Sequence, residues 1–200
     1  MRLPIPLSAK ADSPLGRLTM ADPIPVCDLA EALAAQEIEA GVFLPFAIRC
    51  LQAGDSQVTE RLLSVRILQR EGSEHTENLR VQWSPAHIPT LPPAVQSHII
   101  TEWGALGTAC AVLHGLGDGL RLTSVAREGD RFDYWVGNDE QEWGLEVSGT
   151  GAESLEERHK EKVDQLLSNP YGVDGFVIVV RFASQEAWFT FHRVRERRVR

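Results

Sequence analysis

Two alternating runs joined by a short polar turn constrain this chain more than any other feature. Arg131-Phe132-Asp133-Tyr134-Trp135-Val136 and Gly144-Leu145-Glu146-Val147-Ser148-Gly149-Thr150 alternate apolar with polar residues, the period-two pattern of strands with distinct faces. Between them, Gly137-Asn138-Asp139-Glu140-Gln141-Glu142 is rich in hairpin formers. A turn centred on Asp139 and Glu140 puts Asp133 directly opposite Glu146. Two facing carboxylates repel each other. They become useful when a divalent cation lies between them. A slip of one residue would dissolve the pair.

The surrounding pattern extends this hairpin into a mixed α/β core. The sequence predicts a helix over 94–116, strands near 120–127, 131–136 and 142–148, a helix over 153–167, and strands near 172–182 and 187–194. The helix over 94–116 is strongly apolar and should pack on the sheet. Val177-Ile178-Val179-Val180 is a β-branched run of the kind buried on both faces. Trp135 and Trp143 fall on opposite faces of the hairpin and form no stacking platform together.

At these residues the chain resembles the PD-(D/E)XK phosphodiesterase superfamily of nucleases, whose core runs helix, three strands, helix, strand. The likeness covers roughly the C-terminal half and adds one final strand. Asp133 takes the family's Asp position and Glu146 its Glu position. Glu-Val-x-Gly-Thr is a wording often seen in that family with Lys at x, and here x is Ser148. The resemblance implies a restriction-endonuclease-like αβββαβ core and Mg²⁺ or Mn²⁺ held by Asp133 and Glu146. It further implies Val147 contributing its backbone carbonyl, Glu102 on the first helix as an outer metal ligand, and nucleic acid as the substrate.

Ser148 departs from that pattern, because a neutral hydroxyl does not stabilise developing negative charge as an ammonium does. The chain has three lysines, Lys10, Lys160 and Lys162. Some members of the superfamily carry the lysine on the following helix, which makes Lys160 and Lys162 the substitutes. Both sit two to three turns into that helix, at 1.5 Å per residue far from its start. The expected catalytic set is Asp133, Glu146, Ser148, Lys160 and Lys162. A non-cleaving relative serving as a subunit of a larger complex follows from the same residues.

Composition narrows the functional classes. A hydrophobic content of 43% provides for a real core. No apolar run approaches the length of a membrane span, and the first residues lack a signal-peptide core. Cys27, Cys50 and Cys110 form no CxxC pair and read as free thiols in a cytoplasmic protein. A formal charge of −8 opposes a broad nucleic-acid surface, leaving phosphate contact to local arginine forks. It also admits a third class, an acidic partner-binding protein without enzymatic activity. Helix, three strands, helix, two strands resembles the small dimeric secretion chaperones. A protein partner or homo-oligomer is expected, and no membrane.

The N-terminal part carries no chemistry. Residues 1–26 hold five prolines and should be extended, lying across a surface or disordered until a partner arrives. Asp28 reads as the N-cap of a helix over 29–40 that stops at Gly41. Strands are expected over 42–51, 61–69 and 78–83 as an antiparallel meander. Four prolines within 84–93 mark a linker, dividing an N-terminal elaboration (1–83) from the core (94–200). His98 and Glu102 share a helical face as an ordinary surface pair, and the other histidines lack zinc spacing. Asp174 reads as a turn residue, and the arginines of 193–200 as a solvated end. Along the helix over 153–167, Glu156 and Lys160 attract while Arg158 and Lys162 repel.

Overall fold

A computed structural model describes residues 23–87, 94–151 and 153–194. The prolines of 1–22, the linker prolines within 88–93 and the arginines of 195–200 lie outside the described residues. The chain is a mixed α/β protein, with eight strands and four α-helices among the described residues. The strands are Val26–Asp28 (β1), Glu60–Leu68 (β2), Glu74–Gln82 (β3), Arg121–Val125 (β4), Tyr134–Gly137 (β5), Glu142–Thr150 (β6), Gly175–Arg181 (β7) and Glu186–His192 (β8). The helices are Leu29–Ala34 (α1), Leu44–Gln52 (α2), Ser97–Leu116 (α3) and Leu155–Leu167 (α4).

All eight strands form one sheet in the order β1-β3-β2-β8-β7-β6-β5-β4. Strands on both sides of the 84–93 segment share it, because β2 pairs in parallel with β8. β4, β5 and β6 are antiparallel neighbours, and β6 and β7 run parallel on either side of α4. Parallel neighbours require a crossover connection, and α4 is that crossover. The β5–β6 register is the one expected: Tyr134 faces Leu145, Trp135 faces Gly144, Val136 faces Trp143 and Gly137 faces Glu142.

The two faces of the sheet carry two apolar clusters. The larger includes Leu113, Val136, Trp143, Leu145 and Ile178. The smaller joins Phe132, Leu155, Leu166, Val177 and Val179 beneath α4. Trp143 belongs to the first and Trp135 packs on the second, opposite faces as expected. The β-branched run of β7 is fully buried. α3 is long and apolar enough to span a membrane by length and composition. It lies inside the fold instead, with Gly104 to Leu113 continuously buried between α1 and α2 on one side and β6 on the other.

Two N-terminal expectations are corrected. The strand expected over 42–51 is a 3-10 turn (Ala40–Phe43) followed by α2. Its apolar residues satisfy helical spacing through Phe43, Ala47 and Leu51, Pro45 sits in the first turn where it is tolerated, and a helical partner decides the matter. A Cβ on Gly104 would meet Cys50 Sγ at 2.5 Å, and one on Gly107 would meet the Ala47 Cβ at 2.7 Å. These two glycines of α3 are the groove into which α2 fits. The helix expected over 29–40 begins as expected, with Asp28 Oδ1 accepting from the N–H groups of Ala30 and Glu31 at 2.9 and 3.1 Å. It ends early, at Ala34, because the next residues turn to β4. Gln36 Oε1 accepts from Leu122 N at 2.8 Å, and Glu37 N donates to Leu122 O at 2.9 Å.

Candidate active site

The candidate residues meet beside the start of β5, where β6 runs on paired with β7 alone. β5 spans four residues and β6 nine, so β6 beyond Leu145 has no strand partner on that side. Asp133 sits just before β5, after Arg131 adopts a left-handed φ of 68° that interrupts the extended run. Its backbone N–H donates to Leu145 O at 2.9 Å. Its carboxylate Oδ2 then accepts from Val147 N–H at 2.9 Å, taking the place of a missing strand carbonyl.

Glu146 lies under α4, against Lys162. Its side chain has no solvent exposure, and its Oε2 accepts from Lys162 Nζ at 3.1 Å. Among the described residues its Oε1 is a buried oxygen with no hydrogen-bond partner. Burial, and then the proximity of the Asp133 carboxyl, push the Glu146 carboxyl up to about 9. Lys162 opposes that rise without cancelling it. A buried acid that resists ionisation beside a second acid is a pattern associated with functional sites.

Lys162 reaches Glu146 because α4 runs back over the strand that precedes it. Two residues along a strand advance roughly 6.6 Å, and four along a helix advance roughly 6 Å. Glu146 and Ser148, two apart on β6, therefore match Lys162 and Arg158, four apart on α4. Arg158 Nε donates to Ser148 Oγ at 2.8 Å, and its Nη1 donates to Glu161 Oε2 at 2.8 Å. Depth along the helix thus does not remove a lysine from the site. Lys160 points outward and is exposed, while Lys162 is turned in and 13% exposed.

Arg158 is the residue that reading the sequence missed. It stands against Ser148, the position where the resemblance expects lysine, and brings a guanidinium there instead. The signal was present as the like-charged pair four apart on α4. Two cations on one helical face repel unless that face looks onto acceptors, and here it looks onto Glu146 and Ser148.

A cavity of about 350 Å³ joins these groups, with Glu102, Asp133, Val147, Ser148, Arg158 and Lys162 among its lining. Glu102 is exposed at its rim, on α3. His98 and Glu102 both line a neighbouring cavity of about 330 Å³ that also borders Arg158, and no hydrogen bond links the two side chains. Among the described residues, no group of three or more His, Cys, Asp or Glu side chains is arranged to hold a metal. Asp174 serves the backbone, its Oδ1 accepting from Val194 N at 2.8 Å. Cys27 and Cys110 are buried, Cys50 is half-buried, and all three are free thiols, their ionisation pushed up to about 12 by burial. A further group that spacing did not reveal brings His159 and His192 to one hydroxyl, Thr190 Oγ1, at 2.7 and 2.8 Å. Comparison of the chain with family models, with curated proteins and with solved structures found no match.

Proposed function

We propose that this chain is a metal-dependent phosphodiesterase of PD-(D/E)XK type acting on nucleic acid in the cytoplasm, with Lys162 in the role of the missing motif lysine. One observation carries the reading: Lys162, which lines a cavity together with Asp133, places its Nζ 3.1 Å from Oε2 of the buried Glu146 behind that wall. An acid pair and an ammonium converge there although the chain supplies no lysine at 148.

The donors suit a hard divalent cation. Asp133 and Glu146 offer carboxyl oxygens, and Glu146 Oε1 has no hydrogen-bond partner among the described residues. Mg²⁺ is commonly held by one or two carboxylates while keeping several waters, so two protein ligands suffice, with Val147 O and Glu102 as neighbouring acceptors. Such an ion, when bound, supplies Lewis acidity toward a phosphoryl oxygen and lowers the pKa of its water. The chain's own residues do the rest. Lys162 holds positive charge beside the acid pair, where a phosphoryl group would gather negative charge. Arg158 offers planar guanidinium donors to non-bridging oxygens. Ser148 orients Arg158 and does no chemistry itself.

A second reading, a non-cleaving subunit of a larger complex, draws support from the exposed acids Glu153, Glu156 and Glu157 at the start of α4, which repel a phosphate backbone. Cleavage of labelled single- and double-stranded DNA and RNA with Mg²⁺ and with Mn²⁺ tests both. Cleavage by the wild type, lost in Glu146→Ala and Lys162→Ala, is the expected outcome. Cleavage that survives Glu146→Ala overturns the assignment, and a folded wild type that cuts nothing leaves the subunit reading.

A further inference from the structure

We infer that Trp103 is a stacking platform for a nucleobase next to the scissile phosphate, and that the substrate is an unpaired strand. The inference rests on the phosphodiesterase reading above and adds the form of nucleic acid the site accepts.

Trp103 lines the same cavity as Asp133, Arg158 and Lys162, and it is 43% exposed. It sits at the boundary where α3 leaves the core, since continuous burial starts at Gly104. Val125, 63% exposed, also lines this cavity, from β4. Two large apolar side chains open to solvent within a charged cleft call for an apolar occupant. The indole is also held in place. Phe46 meets it edge-to-face at 4.8 Å and 76°, and Phe43 does so at 5.9 Å and 83°. A ring fixed before binding loses little freedom when a base lands on it.

Charge selects an unpaired strand over a duplex. Within the cavity the cations are Arg158 and Lys162 and Glu102 is an exposed acid of its lining; Glu153 lines the neighbouring cavity, and Glu156 and Glu157 are exposed in the first turn of α4. A duplex brings one negative charge per roughly 1.7 Å of axis, and a single strand half that density. Two cations therefore hold a short single-stranded stretch, with stacking on Trp103 making up the affinity that further basic residues would otherwise supply. Paired bases keep their faces against one another, beyond reach of an indole. An unpaired base presents its face, and such stacking is tolerant of sequence.

The test measures Kd with Ca²⁺ replacing Mg²⁺, to hold the substrate uncut. The probes are a fluorescein-labelled single-stranded 10-mer, its duplex, and the single strand with one abasic position walked along it. Proteins are the wild type, Trp103→Phe and Trp103→Leu, each checked for an unchanged circular dichroism spectrum. The single strand should bind more tightly than the duplex. Trp103→Leu should weaken it by about five-fold or more, with Trp103→Phe losing less. At one abasic position the wild type should drop to the level of Trp103→Leu, and the variant should lose nothing more, which a merely structural role would not produce. Equal binding of the single strand by wild type and Trp103→Leu overturns the inference, as does tighter binding of the duplex. Cleavage that needs Lys162 but ignores Trp103 removes the platform and leaves the phosphodiesterase reading intact. Failure of the wild type to bind any of the probes overturns both.

Discussion

The ammonium of Lys162 and the carboxyl of Glu146 form a hydrogen-bonded pair at 3.1 Å, with the acid wholly shielded from solvent. Lys160, two residues earlier, shares the helix and the charge yet faces water. We expect Lys162→Met to reduce kcat on a cleavable strand by about 10²- to 10³-fold. Lys160→Ala should stay within about two-fold of the wild type, as exposed substitutions do. Single-turnover assays on both variants check the contrast, and equal losses would show that neither lysine is specific to the site.

The raised carboxyl of Glu146 makes stability fall with pH. Below its ordinary value of 4.5, folded and unfolded chains both hold the proton. Between 4.5 and about 9 the unfolded carboxyl ionises while the folded one keeps its proton, so stability declines at up to about 1.4 kcal/mol per pH unit. Glu146→Gln removes this slope. Its Tm should exceed that of the wild type at pH 8 and approach it near pH 4.5, read from thermal melts across that range. Added Mg²⁺ should raise the wild-type Tm at pH 8 and leave the variant where it was.

Ser148 orients a guanidinium already present, so restoring the familiar lysine should harm the protein. Ser148→Ala loses the bond from Arg158 and should cost about 1 kcal/mol in urea denaturation. Ser148→Lys sets a second cation against Arg158 in a position that is 2% exposed. It should destabilise more than the alanine variant and not increase cleavage. A gain in rate on introducing this lysine would mean that Lys162 is no substitute for it.

Close contact between α3 and β6 shapes the wall of the neighbouring cavity, which Thr101 and Gly149 line. A Cβ on Gly149 would stand 2.6 Å from the carbonyl oxygen of Thr101 and 3.0 Å from the Ala105 Cβ. Gly149→Ala must therefore push α3 off the sheet, and overpacking of this kind costs about 1–3 kcal/mol. Denaturation midpoints measure it. Unchanged stability would mean that α3 yields freely.

The hairpin register was legible because each strand's period and the turn between them agree, and a single register satisfies both. The apolar run at 42–51 fits helix as well as strand, and what chooses helix is the pair Gly104 and Gly107, half a chain away. No local rule contains that information. The same holds for the site. Asp133 and Glu146 are found by counting across a turn, whereas Arg158 and Lys162 join them through a crossover whose direction only the assembled sheet reveals. Repulsion on an exposed helix was the correct inference for Arg158 and Lys162 taken alone. Their acceptors lie on β6, two residues apart, and only the antiparallel path of α4 brings the two spacings into step.

The Asp133 carboxylate occupying the Val147 N–H has a consequence for the protein's solution behaviour. Past Leu145, β6 has no strand partner on the β5 side, and unpaired strand backbone is the feature through which sheet proteins recruit one another into aggregates. A negatively charged side chain seated on that edge deters an incoming strand while still lending its oxygens to the cavity. Asp133→Ala would thus do more than remove a ligand: it would uncover a template for intermolecular sheet growth. Losing the acid would first become visible as a falling solubility limit.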